Sequence, residues 1–306
     1  MDTVQHSRGW LLKDVVLSHG VDDTFHETAI KDPSIVYFEN SWHIFYTARG
    51  KGRYSIGYSS SPSLSQFVHA ERHQLKLSVD ISRIDCAPQI FYFTPHKLWY
   101  LIFQTTEANY QPAFSTNSSL DNPNNWTKSQ NLVQKDTSEK WIDFWVICDD
   151  THAYLFYTQE HNEVFVRTTK LENFPSQWGD AIKVFSGVHE AVHVYSVPAE
   201  NRFIMVYEIS TDGVRSFGLA TAAHLTGPWK DTGHEFASGS MLIPGHVRNI
   251  WTEMVSHGEA IRLGYNEKLE VESENGEWII QGMMKHDMNK EYAELPWTIG
   301  LISKYM

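Results

Sequence analysis

The sequence predicts an all-β protein, specifically a five-bladed β-propeller. Three observations support this: helical periodicity is scarce, strand-like alternation is widespread, and one pattern recurs about every 50 to 56 residues. Aromatic residues, which favour strands, make up 13% of the 306 residues. No linker rich in Pro, Gly or Ser divides the chain. We therefore expect a single domain that spans residues 1–306.

The recurring unit begins with a hairpin of two aromatic strands joined by a polar turn. The four hairpins lie within Ser34–Thr47, Gln89–Thr105, Phe144–Thr158 and Val192–Ser210. Their turns fall near residues 40, 96, 150 and 200. After each hairpin comes a strand with a Ser/Thr-rich end, a leucine and an aromatic residue, and a fifth, irregular unit runs from about Met254 to the C-terminus. Five such units suit a propeller, and the alternative is a β-sandwich with coincidental spacing.

Charge and hydropathy exclude two classes of partner. The chain has 25 basic and 37 acidic residues, a formal net charge of −12, and no run of four Lys or Arg residues. Nucleic acids and anionic membranes both require basic clusters, and the apolar runs are far shorter than the roughly 20 residues of a membrane span. We expect no nucleic acid or membrane partner, and a monomer.

Cysteine usage and the N-terminus bear on the compartment. Cys86 and Cys148 do not form a disulfide framework, and we expect two free thiols. Residues Met1–Arg8 lack the basic and apolar regions of a signal peptide. As written, the chain is expected to be cytoplasmic, or secreted if the sequence has been trimmed.

Three acidic residues stand in apolar strand sequence, where burial of a carboxylate costs several kcal/mol unless it is paired or protonated. They are Asp32 in Ala29–Val36, Asp143 in Trp141–Ile147 and Glu208 in Phe203–Ile209. The innermost strands of a propeller converge on its axis, so we expect the three to meet. The alternative for any one of them is a structural acid that accepts backbone N–H groups at a strand end.

Carboxyl groups brought together in this way are suited to hydrolysis of a glycosidic bond. One, kept protonated, donates to the leaving oxygen, and another, ionised, acts as a base or nucleophile. A third carboxylate nearby raises the pKa of its neighbour by charge repulsion. Aromatic walls around them suit an uncharged sugar, so we expect a carbohydrate substrate.

Several segments together resemble glycoside hydrolase family 62. They are Lys31–Val36, Ala87–Phe93, Lys97–Leu101, Gln104–Thr105, Ser115–Asn117, Trp141–Asp149, Ser256–Glu259 and Leu295–Leu301. The resemblance runs from about Trp10 to Ser303. It implies a five-bladed, inverting, exo-acting α-L-arabinofuranosidase that removes arabinose side chains from arabinoxylan, arabinan or their oligosaccharides.

The resemblance also implies roles for individual residues. It makes Asp32 the general base, Glu208 the general acid and Asp143 the group that raises the acid's pKa. It places Lys31, Gln104 and Tyr292 in the arabinose pocket, and His257 near the channel axis as a ligand of one structural calcium ion. Imidazole is not an oxygen donor, so waters or carbonyls would have to complete that shell. The alternative is a histidine that is merely hydrogen-bonded in a turn.

Two departures from the family pattern leave other functions open. Ile84-Asp85-Cys86 stands where the family usually has Tyr-Arg-Ala, and Phe217-Gly218 stands where it usually has Phe-Arg. Loss of two guanidinium groups changes which hydroxyls the pocket binds. Asp85 is then either a fourth active-site carboxylate or a strand-end acid. The alternative functions are a β-xylosidase or arabinanase like those of the related family 43, and a carbohydrate-binding propeller without activity.

Overall fold

The computed structural model describes every residue except 1–8, 21–23, 79–83, 107–110, 135–137, 234, 246, 248 and 306. The expectation drawn from Met1–Arg8 thus concerns residues outside the described part of the chain. The helical elements of the described residues are short 3-10 segments: Leu64–His69, Leu171–Asn173, Pro198–Glu200, Gly239–Met241, Lys285–Asn289 and Tyr292–Glu294. Within the described ranges, no helix has the length and apolar character that crossing a membrane requires.

The strands, numbered in chain order, account for most of the regular structure. They are β1 (Trp10–Leu17), β2 (Ala29–Phe38), β3 (Ser41–Gly50), β4 (Arg53–Ser61), β5 (His73–Gln74), β6 (Asp85–Phe93), β7 (Leu98–Thr105), β8 (Gln111–Asn117), β9 (Gln130–Asn131), β10 (Trp141–Cys148), β11 (His152–Gln159), β12 (Glu163–Lys170), β13 (Ile182–Ser186), β14 (Glu190–Val197), β15 (Arg202–Thr211), β16 (Val214–Ala222), β17 (Lys230–Asp231), β18 (Ala237–Ser238), β19 (Leu242–Pro244), β20 (Ser256–Ala260), β21 (Glu277–Gly282) and β22 (Thr298–Lys304).

These strands form five sheets arranged as the blades of a propeller, which confirms the predicted fold. Blades 1, 2 and 3 have the orders β2-β3-β4-β5, β6-β7-β8-β9 and β10-β11-β12-β13. Blade 4 has the order β14-β15-β16-β17, with β18 also paired to β16. The innermost strands β2, β6, β10, β14 and β20 contact one another around the axis.

The fifth blade differs from the expected unit because it is built from both ends of the chain. Its order is β19-β1-β22-β21-β20, in which β1 runs antiparallel to β22 and parallel to β19. The sequence pattern indicated only the part that follows Met254. Pairing an N-terminal strand with the C-terminal sheet closes the ring and covers strand edges that would otherwise be exposed.

The four predicted hairpin turns lie where the sequence places them. They connect β2 to β3, β6 to β7, β10 to β11 and β14 to β15. Asn40, Lys97 and Asn201 adopt positive φ angles of 62°, 55° and 48° in three of these turns. Asparagine tolerates this left-handed conformation better than most residues, which suits it to tight turns.

Aromatic side chains fill much of the core, and two of the buried tryptophans donate to backbone carbonyls. The indole N–H of Trp10 donates to the Phe236 carbonyl at 2.9 Å, and that of Trp145 donates to the Val194 carbonyl at 2.8 Å. Cys148 lies in this core and Cys86 is partly buried, and both are free thiols, as predicted. Such packing holds the innermost strands in fixed register around the axis.

Candidate active site

A β-bulge interrupts every innermost strand at the same position. The pairing shifts between Lys31 and Ser34, Cys86 and Gln89, Ile142 and Trp145, Glu190 and His193, and Ser256 and Gly258. Four bulge residues have positive φ: Asp32 (49°), Ala87 (50°), Asp143 (56°) and Ala191 (54°). Bulges redirect side chains and cluster next to active sites, so this repeated irregularity marks the functional end of the propeller.

The bulges surround a cavity of about 190 Å³ at the axis. Its lining comprises Lys31, Asp32, Tyr54, Ile84, Cys86, Ala87, Gln104, Ile142, Asp143, Glu190, His257 and Tyr292. A volume below the roughly 300–1,000 Å³ of pockets for drug-sized ligands suits one small ring rather than a chain of sugars.

The structure brings together six of the seven site residues that the sequence predicts: Lys31, Asp32, Gln104, Asp143, His257 and Tyr292. The seventh, Glu208, does not line the cavity, and its side chain is 0% exposed. In its place stands Glu190, which sequence reasoning missed. Tyr54, also missed, lines the cavity with Tyr292, and the Lys31 ammonium sits 5.4 Å and 5.6 Å from their ring centroids.

Asp32 is held as an ionised carboxylate. Its Oδ2 lies 3.2 Å from Lys31 Nζ and its Oδ1 lies 3.4 Å from His257 Nδ1. Burial raises the pKa of Asp32. The charge of Lys31, with smaller contributions from His257 and Thr47, lowers this pKa by more than burial raises it, so the net shift is downward. A buried, ionised carboxylate of this kind can accept a proton from water.

Asp143 connects two neighbouring blades. Its Oδ2 accepts the backbone N–H of Ala191 at 2.8 Å, and its own backbone N–H donates to Gln104 Oε1 at 3.3 Å. Burial, and then the charge of Asp32, raises the pKa of Asp143 to about 7. The carboxylate therefore fixes the backbone beside Glu190 and places a titrating negative charge there.

Glu190 has the character of an acid that keeps its proton up to about neutral pH. Burial, and then the charge of Asp143, raises its pKa to about 7 against the opposing charge of Arg215. Arg215 Nη1 lies 3.6 Å from Glu190 Oε1. His161 Nδ1 and His189 Nε2 approach the other oxygen, Oε2, at 3.4 Å and 3.7 Å.

Glu208 occupies a position that recurs in every blade and serves backbone hydrogen bonding. The first bulge residue of each blade is the last one paired before the register shifts: Lys31, Cys86, Ile142, Glu190 and Ser256. Each pairs with one residue of the second strand, and these partners are Thr47, Gln104, Thr158, Glu208 and Gln281. Four of these accept a bulge N–H from the next blade: Gln281 from Asp32, Thr47 from Ala87, Gln104 from Asp143 and Glu208 from His257. In the remaining blade, Asp143 accepts the N–H of Ala191 instead.

The remaining contacts of Glu208 complete this role. Its Oε1 accepts from Arg215 Nη1 at 2.6 Å, and its Oε2 accepts from the Ser256 hydroxyl in a short hydrogen bond and from the His257 N–H at 3.1 Å. Burial, and then the charge of Glu190, raises its pKa to about 7. Glu208 thus supports Arg215 and the fifth bulge from behind the cavity. Its apolar sequence context reflects this burial.

His257 reaches the axis as predicted, but its neighbours do not suit calcium. Its Nε2 lies 3.2 Å from the Nε2 of His193, and its Nδ1 faces Asp32 at 3.4 Å and Asp143 at 3.9 Å. Calcium takes six to eight oxygen ligands, and the two carboxylates that face the His257 ring, those of Asp32 and Asp143, are far fewer than that. A calcium ion on His257 stays a prediction that this donor set does not favour.

The two departures from the family pattern have clear locations. Cys86 lines the cavity, whereas Asp85 begins β6 and does not line it, as a strand-end acid would. At Gly218, a Cβ atom would lie 2.4 Å from the ring of Tyr207. An arginine at this position would therefore require Tyr207 to move.

Comparison with known proteins gives a consistent result. Residues 22–303 match the profile described as Glycosyl hydrolase family 62. The chain is 33% identical to alpha-L-arabinofuranosidase C of Cellvibrio japonicus over 286 residues. The aligned segment covers 90% of this chain and 44% of that relative's length. The chain thus spans less than half of that relative.

Solved structures agree with the profile match. The catalytic domain of the Coprinopsis cinerea GH62 alpha-L-arabinofuranosidase superposes with a TM-score of 0.88 at 29% identity, covering 97% of both chains. The alpha-L-arabinofuranosidase of Podospora anserina, determined with cellotriose, gives 0.87 at 28% identity and 98% coverage of both. A thermostable family-43 glycoside hydrolase, at 16% identity and a TM-score of 0.64, shares the fold.

Proposed function

Because this chain belongs to glycosyl hydrolase family 62 and is a glycoside hydrolase, we propose that it is an exo-acting α-L-arabinofuranosidase that inverts the anomeric centre. The observation that carries the proposal is the pairing in one small cavity of Asp32, whose pKa is lowered, with Glu190, whose pKa is raised to about 7. Opposite protonation states of two carboxyl groups are what acid–base hydrolysis of a glycoside needs.

In the proposed reaction, Glu190 rather than Glu208 is the general acid. Glu190 donates its proton to the glycosidic oxygen as the bond to the anomeric carbon breaks. A water molecule attacks that carbon from the opposite side, and Asp32 accepts the proton that the water loses. Solvent then returns a proton to Glu190 and removes one from Asp32.

The other cavity residues position the acid and the sugar. Asp143 holds the Ala191 N–H beside Glu190 and raises the pKa of the acid by its charge. Lys31 lies close to the rings of Tyr54 and Tyr292, and its ammonium can donate to a sugar hydroxyl while keeping Asp32 ionised. The aromatic rings provide apolar surface for the face of a pentose.

A panel of aryl glycosides tests the reaction class. We expect release of nitrophenol from the α-L-arabinofuranoside and little from the β-xyloside, and NMR of the first product should show β-arabinofuranose. Cleavage of the xyloside alone would favour a family-43-like activity. Binding of arabinose-substituted oligosaccharides without any product would favour a carbohydrate-binding propeller.

The polymer is identified by chromatography of the sugars released. We propose arabinose side chains of arabinoxylan, arabinan or their oligosaccharides as substrates. Arabinose should be the sole monosaccharide released, because the small cavity suits one ring. Release of arabino-oligosaccharides would indicate an endo-acting arabinanase and contradict the exo-acting proposal.

Paired substitutions at Glu190 and Glu208 test the assignment of the acid. The two residues pair across β14 and β15, so E190Q and E208Q are matched changes. E190Q should lower kcat on a substrate with a poor leaving group by about 10²- to 10⁴-fold. The loss should be much smaller on a dinitrophenyl arabinofuranoside, whose leaving group needs no protonation. Such a leaving-group dependence in E208Q, with E190Q unaffected, would contradict the assignment.

A further inference from the structure

Two histidines flank the carboxylate of Glu190 at the outer side of the cavity. His161 follows β11 and His189 precedes β14. Their rings stack with centroids 4.8 Å apart and an interplanar angle of 20°. Neither histidine lines the cavity itself, and the proposed hydrolysis does not use them.

The spacing of these groups is close to that of a tetrahedral metal site. One ligand atom from each of His161, His189 and Glu190 lies within 4.8 Å of the other two. Glu190 Oε2 is 3.4 Å from His161 Nδ1 and 3.7 Å from His189 Nε2. Zinc bonds of about 2.0–2.2 Å at tetrahedral angles place neighbouring ligand atoms about 3.4 Å apart. Small rotations of the side chains would therefore complete the set.

The chemistry of the donors also fits a transition metal. Two imidazoles and one carboxylate form a common zinc set that leaves one position for water. His161 is 41% exposed, so an ion and its water can reach the site. His161 Nδ1 lies 3.2 Å from the His189 carbonyl, and a metal would replace this hydrogen bond and move the ring proton to Nε2.

A neighbouring cation, Arg215, opposes the binding of a metal ion. Arg215 Nη1 lies 3.6 Å from Glu190 Oε1, but it is closer to Glu208 Oε1, at 2.6 Å. When ionised, Glu208 therefore offsets part of the guanidinium charge. The metal would bind the oxygen of Glu190 that faces the two histidines, away from this ion pair.

We propose that His161, His189 and Glu190 form a binding site for a divalent transition metal, with Zn²⁺ as the probe, and that occupancy of the site reversibly inhibits the enzyme. The inhibition rests on the proposed role of Glu190, because a carboxylate that binds a metal cannot donate a proton to the leaving oxygen. The binding of the metal does not depend on that role.

Isothermal titration calorimetry of tag-free, EDTA-treated and desalted protein with Zn²⁺ tests the site. The wild type should bind one Zn²⁺, and H161A, H189A and E190Q should each weaken binding at least about tenfold. H224A, which removes an exposed histidine in the loop after β16, is the matched control and should bind as the wild type does. Unchanged affinity in all three site variants would overturn the proposal.

Inhibition is measured separately, on an aryl α-L-arabinofuranoside. Zn²⁺ should inhibit the wild type and H224A, EDTA should restore activity, and the inhibition constant should rise at least about tenfold in H161A and H189A. Zinc binding at the site without inhibition would refute the inhibitory role. Absence of arabinofuranosidase activity before zinc is added would refute the proposed function, while calorimetry would still report on the metal site.

Discussion

Replacing Arg215 with methionine should move the alkaline limb of the pH–activity profile to higher pH. The guanidinium of Arg215 lies beside Glu190 and lowers its pKa against the larger effect of burial, which leaves that pKa at about 7. The acid must be protonated to work, so activity falls as pH rises through this pKa. Removing the cation raises the pKa and keeps the acid protonated at higher pH.

The size of the shift follows from the distances. At 3.6 Å and an effective dielectric constant of about 20, the attraction between a full charge on Arg215 and an ionised Glu190 is about 5 kcal/mol. Glu208, at 2.6 Å, offsets part of that charge when it is ionised, which its own pKa of about 7 allows over much of the assay range, so only part of this energy acts on Glu190. We expect a shift of about 1 to 2 pKa units, equivalent to about 1.4–2.7 kcal/mol.

The assay is kcat/KM against pH between 5 and 9 on an aryl α-L-arabinofuranoside, because this ratio reports the ionisation of the free enzyme. E208Q is the matched control with the opposite sign. It removes the anion that offsets Arg215, so the pKa of Glu190 should fall and the limb should move to lower pH. Circular dichroism and thermal melts check that both variants fold. A limb that moves in the same direction in both variants, or downward in R215M, would refute the reasoning.

Three further predictions concern charge and packing. D143N keeps an oxygen for the Ala191 N–H but removes the charge that raises the pKa of Glu190, so the alkaline limb of the pH–activity profile should move below pH 7. An alkaline limb that stays in place would count against this role of Asp143. Gly218→Ala should lower the free energy of unfolding by about 1–3 kcal/mol in urea titrations, because the added Cβ would overlap the buried ring of Tyr207. Gly264→Ala is the control and should have little effect, because the space around that position is open. Arg262→Ala should lower the free energy of unfolding by about 3–5 kcal/mol in the same assay, because buried Glu259 loses its cation and the carbonyls of Ile35 and Ile90 lose a donor. A decrease below about 1 kcal/mol would contradict this.

The sequence predicts the fold well because its signals are local and repeated. The hairpin turns near residues 40, 96, 150 and 200 each combine a polar tip with flanking aromatic strands, and all four are present. The closure of the ring is different. Pairing of Trp10–Leu17 with Thr298–Lys304 joins segments at opposite ends of the chain, and no local pattern in either one specifies its partner.

Six of the seven predicted site residues line one cavity, because Asp32 and Asp143 stand on innermost strands and the others lie around the same bulges. A carboxylate in apolar sequence is indicated to be buried. Burial alone does not distinguish a residue that lines the cavity from one that supports the cavity wall from behind. Glu208 satisfies the criterion because it is fully enclosed. Its function in hydrogen bonding depends on the neighbouring blade, which sequence context does not reveal.

Alignment of the internal repeats would have pointed to Glu190. The first bulge residues Lys31, Cys86, Ile142 and Glu190 are followed by Asp32, Ala87, Asp143 and Ala191, and then by alternating strand residues that enter the core. In this register Glu190 takes the place of Lys31, whereas Glu208 takes the place of Thr47. Because equivalent bulge positions face the same cavity, a charged residue at the first bulge position is a stronger indicator of chemistry than a carboxylate surrounded by apolar sequence. The backbone geometry that directs side chains into the cavity is therefore a property of the repeat, and the acids and cations placed on it would determine the proposed reaction.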